Sequence, residues 1–133
     1  MTILEVNLSE AQEPTAAPEG EYSLTVQGPA EQRIGESSGK PYLRVVFAFD
    51  DPPEPNTDNI YHIASLPAED DDDAARNKKL LRIRRMCDAL GVDYSDGLDL
   101  ESFAGSSAYC VVGVETDEEY GDRNFIKRFN EAK

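Results

Sequence analysis

The chain has 133 residues, 39% of them hydrophobic, and a mean hydropathy of −0.56. That length suits one domain able to bury a core without metal or disulfide support, and no apolar run approaches the ~20 residues of a membrane span. The formal charge of −14, from 27 acids against 13 bases, excludes a uniformly basic nucleic-acid binder, because phosphate contact needs Lys and Arg.

The charge is unevenly spread. Residues 1–60 carry 11 acids and 3 bases, and residues 61–73 carry 5 acids and no base. Residues 74–90 reverse this with 6 bases and 1 acid, and residues 91–133 return to 10 acids and 4 bases. Nearly half of the positive charge thus falls in one short segment, where a local field can outweigh the sum.

Residues 1–18 read as an extended acidic arm, with Pro14, Pro18 and a strand-like piece at Ile3–Val6. The start of the chain has neither the basic n-region nor the apolar stretch of a signal peptide, so a cytoplasmic protein is expected. Residues 19–133 read as the folded domain. Pro18-Glu19-Gly20 is a turn, and Tyr22, Leu24 and Val26 alternate in a first strand that Gly28-Pro29 breaks. Residues 30–40, polar and rich in Gly and Ser, read as a flexible hairpin loop.

The strongest strand signal follows at residues 41–49. Leu43, Val45, Phe47 and Phe49 share one face, and Tyr42, Arg44, Val46 and Ala48 share the other. An outer face with an aromatic beside a cation can hold a stacked base and its phosphate. Pro52, Pro53 and Pro55 mark an acidic loop. Ile60–Leu66 is a third strand, ended by Pro67.

Asp70–Asp73 suits a helix start better than a metal site, since Asp is a good N-cap, acids favour the helix N-terminus and consecutive carboxylates diverge. Ala74–Leu90 is the one helix expected, with Leu80, Ile83, Cys87 and Leu90 as its apolar stripe and Gly91 as its stop. Lys78, Arg82 and Arg85 project opposite that stripe; Lys79 and Arg84 flank it. Leu81 lies off the stripe beside Arg85. Asp99–Phe103 reads as one helical turn. Ala108–Val114 is a fourth strand, residues 116–122 a polar hairpin tip, and Asn124–Phe129 a fifth strand with Phe125, Lys127 and Phe129 on one face.

Cys87 and Cys110 lie in no CxxC motif and read as buried apolar residues. His62 has no second His or Cys near it to make a zinc site. No phosphate-cradling glycine loop or nucleophile elbow is present, and one histidine limits acid–base chemistry. The expectation is a protein that is not an enzyme and carries no cofactor or metal.

Strand, strand, strand, helix, strand, strand is the order of the OB fold. The expected class is therefore mainly β with one helix: a five-stranded OB-fold barrel, helix between strands three and four. Pro18-Glu19-Gly20-Glu21-Tyr22, Ser38-Gly39-Lys40-Pro41, Cys87-Asp88-Ala89-Leu90-Gly91-Val92, Leu100-Glu101-Ser102-Phe103-Ala104-Gly105 and Asn124-Phe125-Ile126 form a set of short motifs over about residues 18–129. In these the chain resembles small phage-encoded single-stranded DNA-binding proteins and their relatives of unknown function. The resemblance implies an OB-type fold and single-stranded DNA binding during phage DNA replication or recombination, in the host cytoplasm.

For that function the candidate contacts are Lys40, Tyr42, Arg44, Tyr61, Tyr109, Lys127 and Arg128, with bases stacked on tyrosines and phosphates met by cations. In an OB barrel the helix plugs one end, so Lys78, Arg82 and Arg85 suit a protein partner, a phage or host replication or recombination factor, or a second copy in a homo-oligomer. The competing reading is an acidic protein–protein interaction module that imitates the charge of DNA and occupies a host factor. A structural role in the phage particle is a third.

Overall fold

The computed structural model describes residues 2–119 and 121–130. Six strands and one long helix make up the regular structure: β1 (Gly20–Val26), β2 (Glu31–Ile34), β3 (Pro41–Phe49), β4 (Ile60–Ser65), α1 (Asp73–Leu90), β5 (Ser107–Asp117) and β6 (Gly121–Phe129). The protein is mainly β, as the sequence predicts, but the described residues form six strands rather than five. Residues 31–34 are not a flexible loop. They pair with β3 through Glu31–Arg44, Gln32–Leu43, Arg33–Tyr42 and Ile34–Pro41, and the hairpin loop shrinks to residues 35–40. Gly39 turns that loop at φ 68°, a conformation that suits glycine.

All ladders are antiparallel, in the order β2-β3-β1-β5-β6 with β4 also on β3. Phe47 pairs with both Val26 and Ile60, and Arg44 pairs with both Glu31 and Ile63. β1 and β2 therefore share one edge of β3, interrupted by Gly28-Pro29, while β4 holds the other edge.

Alternation decides the core. Leu43, Val45, Phe47 and Phe49 are buried, and between them Tyr42, Arg44, Val46 and Ala48 are half-buried. Leu24, Val26, Ile60, Ala64, Ala108, Cys110 and Val112 complete the inner face. The Leu100–Phe103 3₁₀ turn inserts Phe103 fully into this core and docks on the end of β1 and the link to β2: Ala30 N–H donates to Leu100 O at 2.9 Å and Gly105 N–H to Val26 O at 3.0 Å. Burial pushes the Cys87 thiol up to about 11 and the Cys110 thiol up to about 12, so both stay protonated and unreactive at neutral pH.

The helix starts as the acidic run predicts. Asp72 is the N-cap, accepting from Ala75 N–H, and Gly91 ends the helix at φ 74°. Its buried residues are Ile83, Met86, Cys87, Ala89 and Leu90. Leu80, expected in the apolar stripe, is 45% exposed. The first turns of α1 project past the core, and Lys79 is instead tied down by an ion pair with Asp71 at 2.8 Å, with Asp71 only 7% exposed. The Ala68 N–H and the Lys79 ammonium hold the Asp71 carboxyl below its usual range. No described helix is long and apolar enough to cross a membrane.

β6 departs from simple alternation. Val111 pairs with Arg128 and Val112 with Ile126, so Lys127 is the extra residue of a β-bulge. Ile126 and Phe129 consequently both pack on the core, and the expected grouping of Phe125, Lys127 and Phe129 on one face fails. Under the bulge, a Cβ at Gly113 would meet the Phe125 ring and Lys127 Cε, each at 2.7 Å. Gly113→Ala should cost about 1–3 kcal/mol by overpacking, read as a lowered urea midpoint. Combining it with Phe125→Leu should recover part of that loss.

The arm does not pair at Ile3–Val6; residues 2–7 have no regular structure, and a 3₁₀ turn follows at Leu8–Glu10. Its end is fixed. Thr15 bridges Thr57, Asn56 Nδ2–H donates to Glu13 O at 2.8 Å, and the Asn124 side chain holds both the N–H and the C=O of Ala17, at 2.8 and 2.9 Å. Of the expected 116–122 hairpin tip, Tyr120 lies outside the described residues, and β5 and β6 extend to Asp117 and from Gly121.

Candidate nucleic-acid interface

Residues opposed across an antiparallel pair share a face, so the ladders fix which side chains meet on the outside of the sheet. Three rows cross β2, β3 and β4: Arg33–Tyr42–Ser65, Glu31–Arg44–Ile63, and Val46–Tyr61. They gather two tyrosines, two arginines and an exposed isoleucine into one patch. Tyr61 is 52% exposed and Ile63 60%. The Arg44 guanidinium lies over the Tyr61 ring at 4.9 Å from its centroid, a diagonal cation–π contact between neighbouring strands. Glu31 faces Arg44 across the ladder, but its carboxylate goes to Arg33 at 2.6 Å. Arg44 forms no ion pair among the described residues.

The other expected contacts are placed differently. Lys40, beside Pro41 at the start of β3, is 3.8 Å from Asp70, a loose pair between two exposed side chains. Lys127 is paired with Glu19. Tyr109 is 61% exposed but sits on β5 opposite Ser23 of β1. β5 is two strands from β3, with β1 between them, on the side away from β4. Between the two tyrosine sets lies a polar strip: Ser23 and Thr25 donate to Asp50, and Thr25 Oγ1 is 2.6 Å from Ser107 Oγ. Arg128, opposite Val111, is exposed and forms no ion pair among the described residues. The seven candidates thus divide into a β3–β4 group (Lys40, Tyr42, Arg44, Tyr61) and a β5–β6 group (Tyr109, Lys127, Arg128).

Two features escaped the sequence reading. Arg33 joins the patch because β2 is a strand; its spacing from Glu31, two residues on one strand face, was the available signal. The second is a groove of about 1090 Å³ beside Tyr61 and Ile63, closed by Pro14–Ala16 of the arm and by the β5–β6 hairpin. Glu13, Asp58, Glu115, Glu119 and Asp122 line it, with Arg123 as the one cation. The positive side of the patch is therefore the β2–β3 side, and the negative side is the groove.

Elsewhere, Lys79 and Arg84 of α1 are paired with Asp71 and Asp88. Arg76, Lys78, Arg82 and Arg85 are exposed and form no ion pair among the described residues. No group of three His, Cys, Asp or Glu side chains suited to a metal occurs among the described residues. No protein-family profile and no curated protein matches the chain.

Proposed function

We propose that the protein binds single-stranded DNA without sequence preference, through the β2–β3–β4 patch, as a relative of the phage proteins it resembles, acting in DNA replication or recombination in the host cytoplasm. The observation that carries this reading is the Arg44–Tyr61 pair: an exposed ring under a guanidinium that has no ion pair among the described residues, flanked by Tyr42. A base stacks on the free surface of Tyr61 or Tyr42, and Arg44, Arg33 and Lys40 meet the adjoining phosphates. The acid-lined groove steers the backbone toward the β2–β3 side, leaving base edges to face the carboxylates.

An OB-type barrel is the fold that goes with this reading. Two features support it. β1 and β2 share one edge of β3 and count as a single bent strand, which restores a five-strand order with α1 between the third and fourth. The His62 ring meets Phe129 at 5.3 Å, bringing the outer strands β4 and β6 toward each other.

The test is binding of a labelled oligo-dT across a salt series. Three phosphate contacts give a log–log slope of about −2, at about 0.7 per contact on a single strand. No binding at low salt overturns the reading. The groove favours a second reading, an acidic module that occupies a host nucleic-acid-binding protein. That reading predicts no oligo-dT binding, with instead a salt-sensitive complex between this protein and a basic DNA-binding protein.

A further inference from the structure

We infer that the N-terminal arm of one copy docks on the basic face of helix α1 of a second copy. The arm carries an unusual load for a surface segment. Ile3, Leu4 and Leu8 are 78–79% exposed and Val6 is 59% exposed, and every residue from 2 to 14 is exposed. Ile3, Leu4, Val6 and Leu8 are interspersed with Glu5, Asn7 and Glu10, so the arm mixes exposed apolar side chains with acids over eight residues. Glu5, Glu10 and Glu13 meet no base within the segment, since the first Lys or Arg of the chain is Arg33.

The helix offers the complement. Lys78 and Arg85 neighbour half-buried Leu81 at i−3 and i+4, Arg82 lies between them on the next face, and Leu80 is 45% exposed. Half-buried Leu81 and exposed Leu80, beside three cations that form no ion pair among the described residues, fit a segment that mixes leucines with glutamates. They do not fit a bare phosphate chain, which would leave the leucines uncovered.

The arm's own chain does not cover it, while its root is fixed at Thr15 and Ala17. Residues 2–13 reach about 40 Å when extended, enough to cross onto a neighbouring molecule. In a two-fold dimer the exchange is reciprocal, two arms on two helices, so each contact is made twice.

Sedimentation equilibrium of the full chain over a concentration series tests this. The expected result is a dimer at low salt whose dissociation constant rises at least tenfold in 0.5 M salt, since exposed pairs are screened. Arg82→Glu with Arg85→Glu should weaken association at least tenfold, and so should Glu5→Lys with Glu10→Lys. Mixing the two reversed variants should give a heterodimer that neither forms alone. All four positions are exposed, so folding is unaffected. A protein monomeric at every concentration overturns the inference. So does a dimer indifferent to both reversals, which places the contact elsewhere, or a mixture of reversed variants that stays monomeric.

Discussion

Tyr61→Ala should lower affinity for a short oligo-dT by about 5- to 150-fold, corresponding to the loss of one base–aromatic stack worth about 1–3 kcal/mol. Tyr61 is the exposed ring on which Arg44 rests, so two effects are removed together: the stacking platform and the surface that orients the guanidinium. Arg44→Ala should also weaken binding and make the salt slope shallower by about 0.7. The double variant should lose less than the sum of the two, because residues in contact couple. Full additivity would mean that Arg44 and Tyr61 act on different nucleotides. Tyr109→Ala separates the two tyrosine sets. It lies beyond the Ser23–Thr25–Asp50 strip, so it should leave short oligonucleotides unaffected and weaken only those long enough to cross β1. Fluorescence anisotropy with oligo-dT of increasing length reads all four variants. If Tyr61→Ala and Arg44→Ala bind as the wild type does, the β3–β4 patch is not the site, even if DNA binds.

Much of this patch was legible because β3 alternates without a break. Nine residues with four apolar side chains on one face leave little freedom about which way Tyr42 and Arg44 point. The neighbours were harder to see. Glu31-Gln32-Arg33-Ile34 has no hydrophobic alternation, since all four residues are exposed. It is a strand because the first half of β3 supplies a paired edge, and tertiary pairing overrides weak local propensity. The bulge at Lys127 was invisible for a similar reason. A single inserted residue flips every side chain beyond it, and nothing in Asn124–Phe129 marks where the slip occurs. Leu80 shows the limit of helical periodicity: spacing defines a stripe but not where the core beneath it ends. The charge contradiction, a net −14 domain proposed to meet phosphates, also needed the structure. Five acids line the groove, while Arg33, Lys40 and Arg44 lie on the β2–β3 side, the first two paired with Glu31 and Asp70.

Wild-type stability should depend on pH through His62 in a way that a His62→Leu variant does not. The His62 ring packs edge-on against Phe47 and Phe129, at 6.2 and 5.3 Å between centroids. Neither neighbour is ionisable, and no hydrogen bond to the ring is formed among the described residues. Burial pushes its pKa down from 6.5 to about 4. The folded state therefore holds His62 neutral, while the unfolded chain binds a proton below pH 6.5. Stability from this source is complete above pH 6.5 and is lost as pH falls toward 4, because the unfolded state takes up more protons in that window. At about 1.4 kcal/mol per pH unit, the full loss is about 3 kcal/mol, and about 2 kcal/mol of it has occurred by pH 5. Two other effects must be separated from it. Asp71, held below its usual range, contributes only when the pH falls below the ordinary carboxylate value, so pH 5 excludes it. Protonation of the many carboxylates relieves self-repulsion and works in the opposite direction. That background is common to both proteins, so the difference between wild type and His62→Leu isolates the imidazole. Working at pH 5 also stays above the isoelectric point of about 4.3, where solubility is lowest. Urea midpoints at pH 7.5 and pH 5 should show the wild type losing about 2 kcal/mol more than the variant. An equal loss in both would mean that the ring is hydrated in the folded state and that β4 and β6 do not close over it.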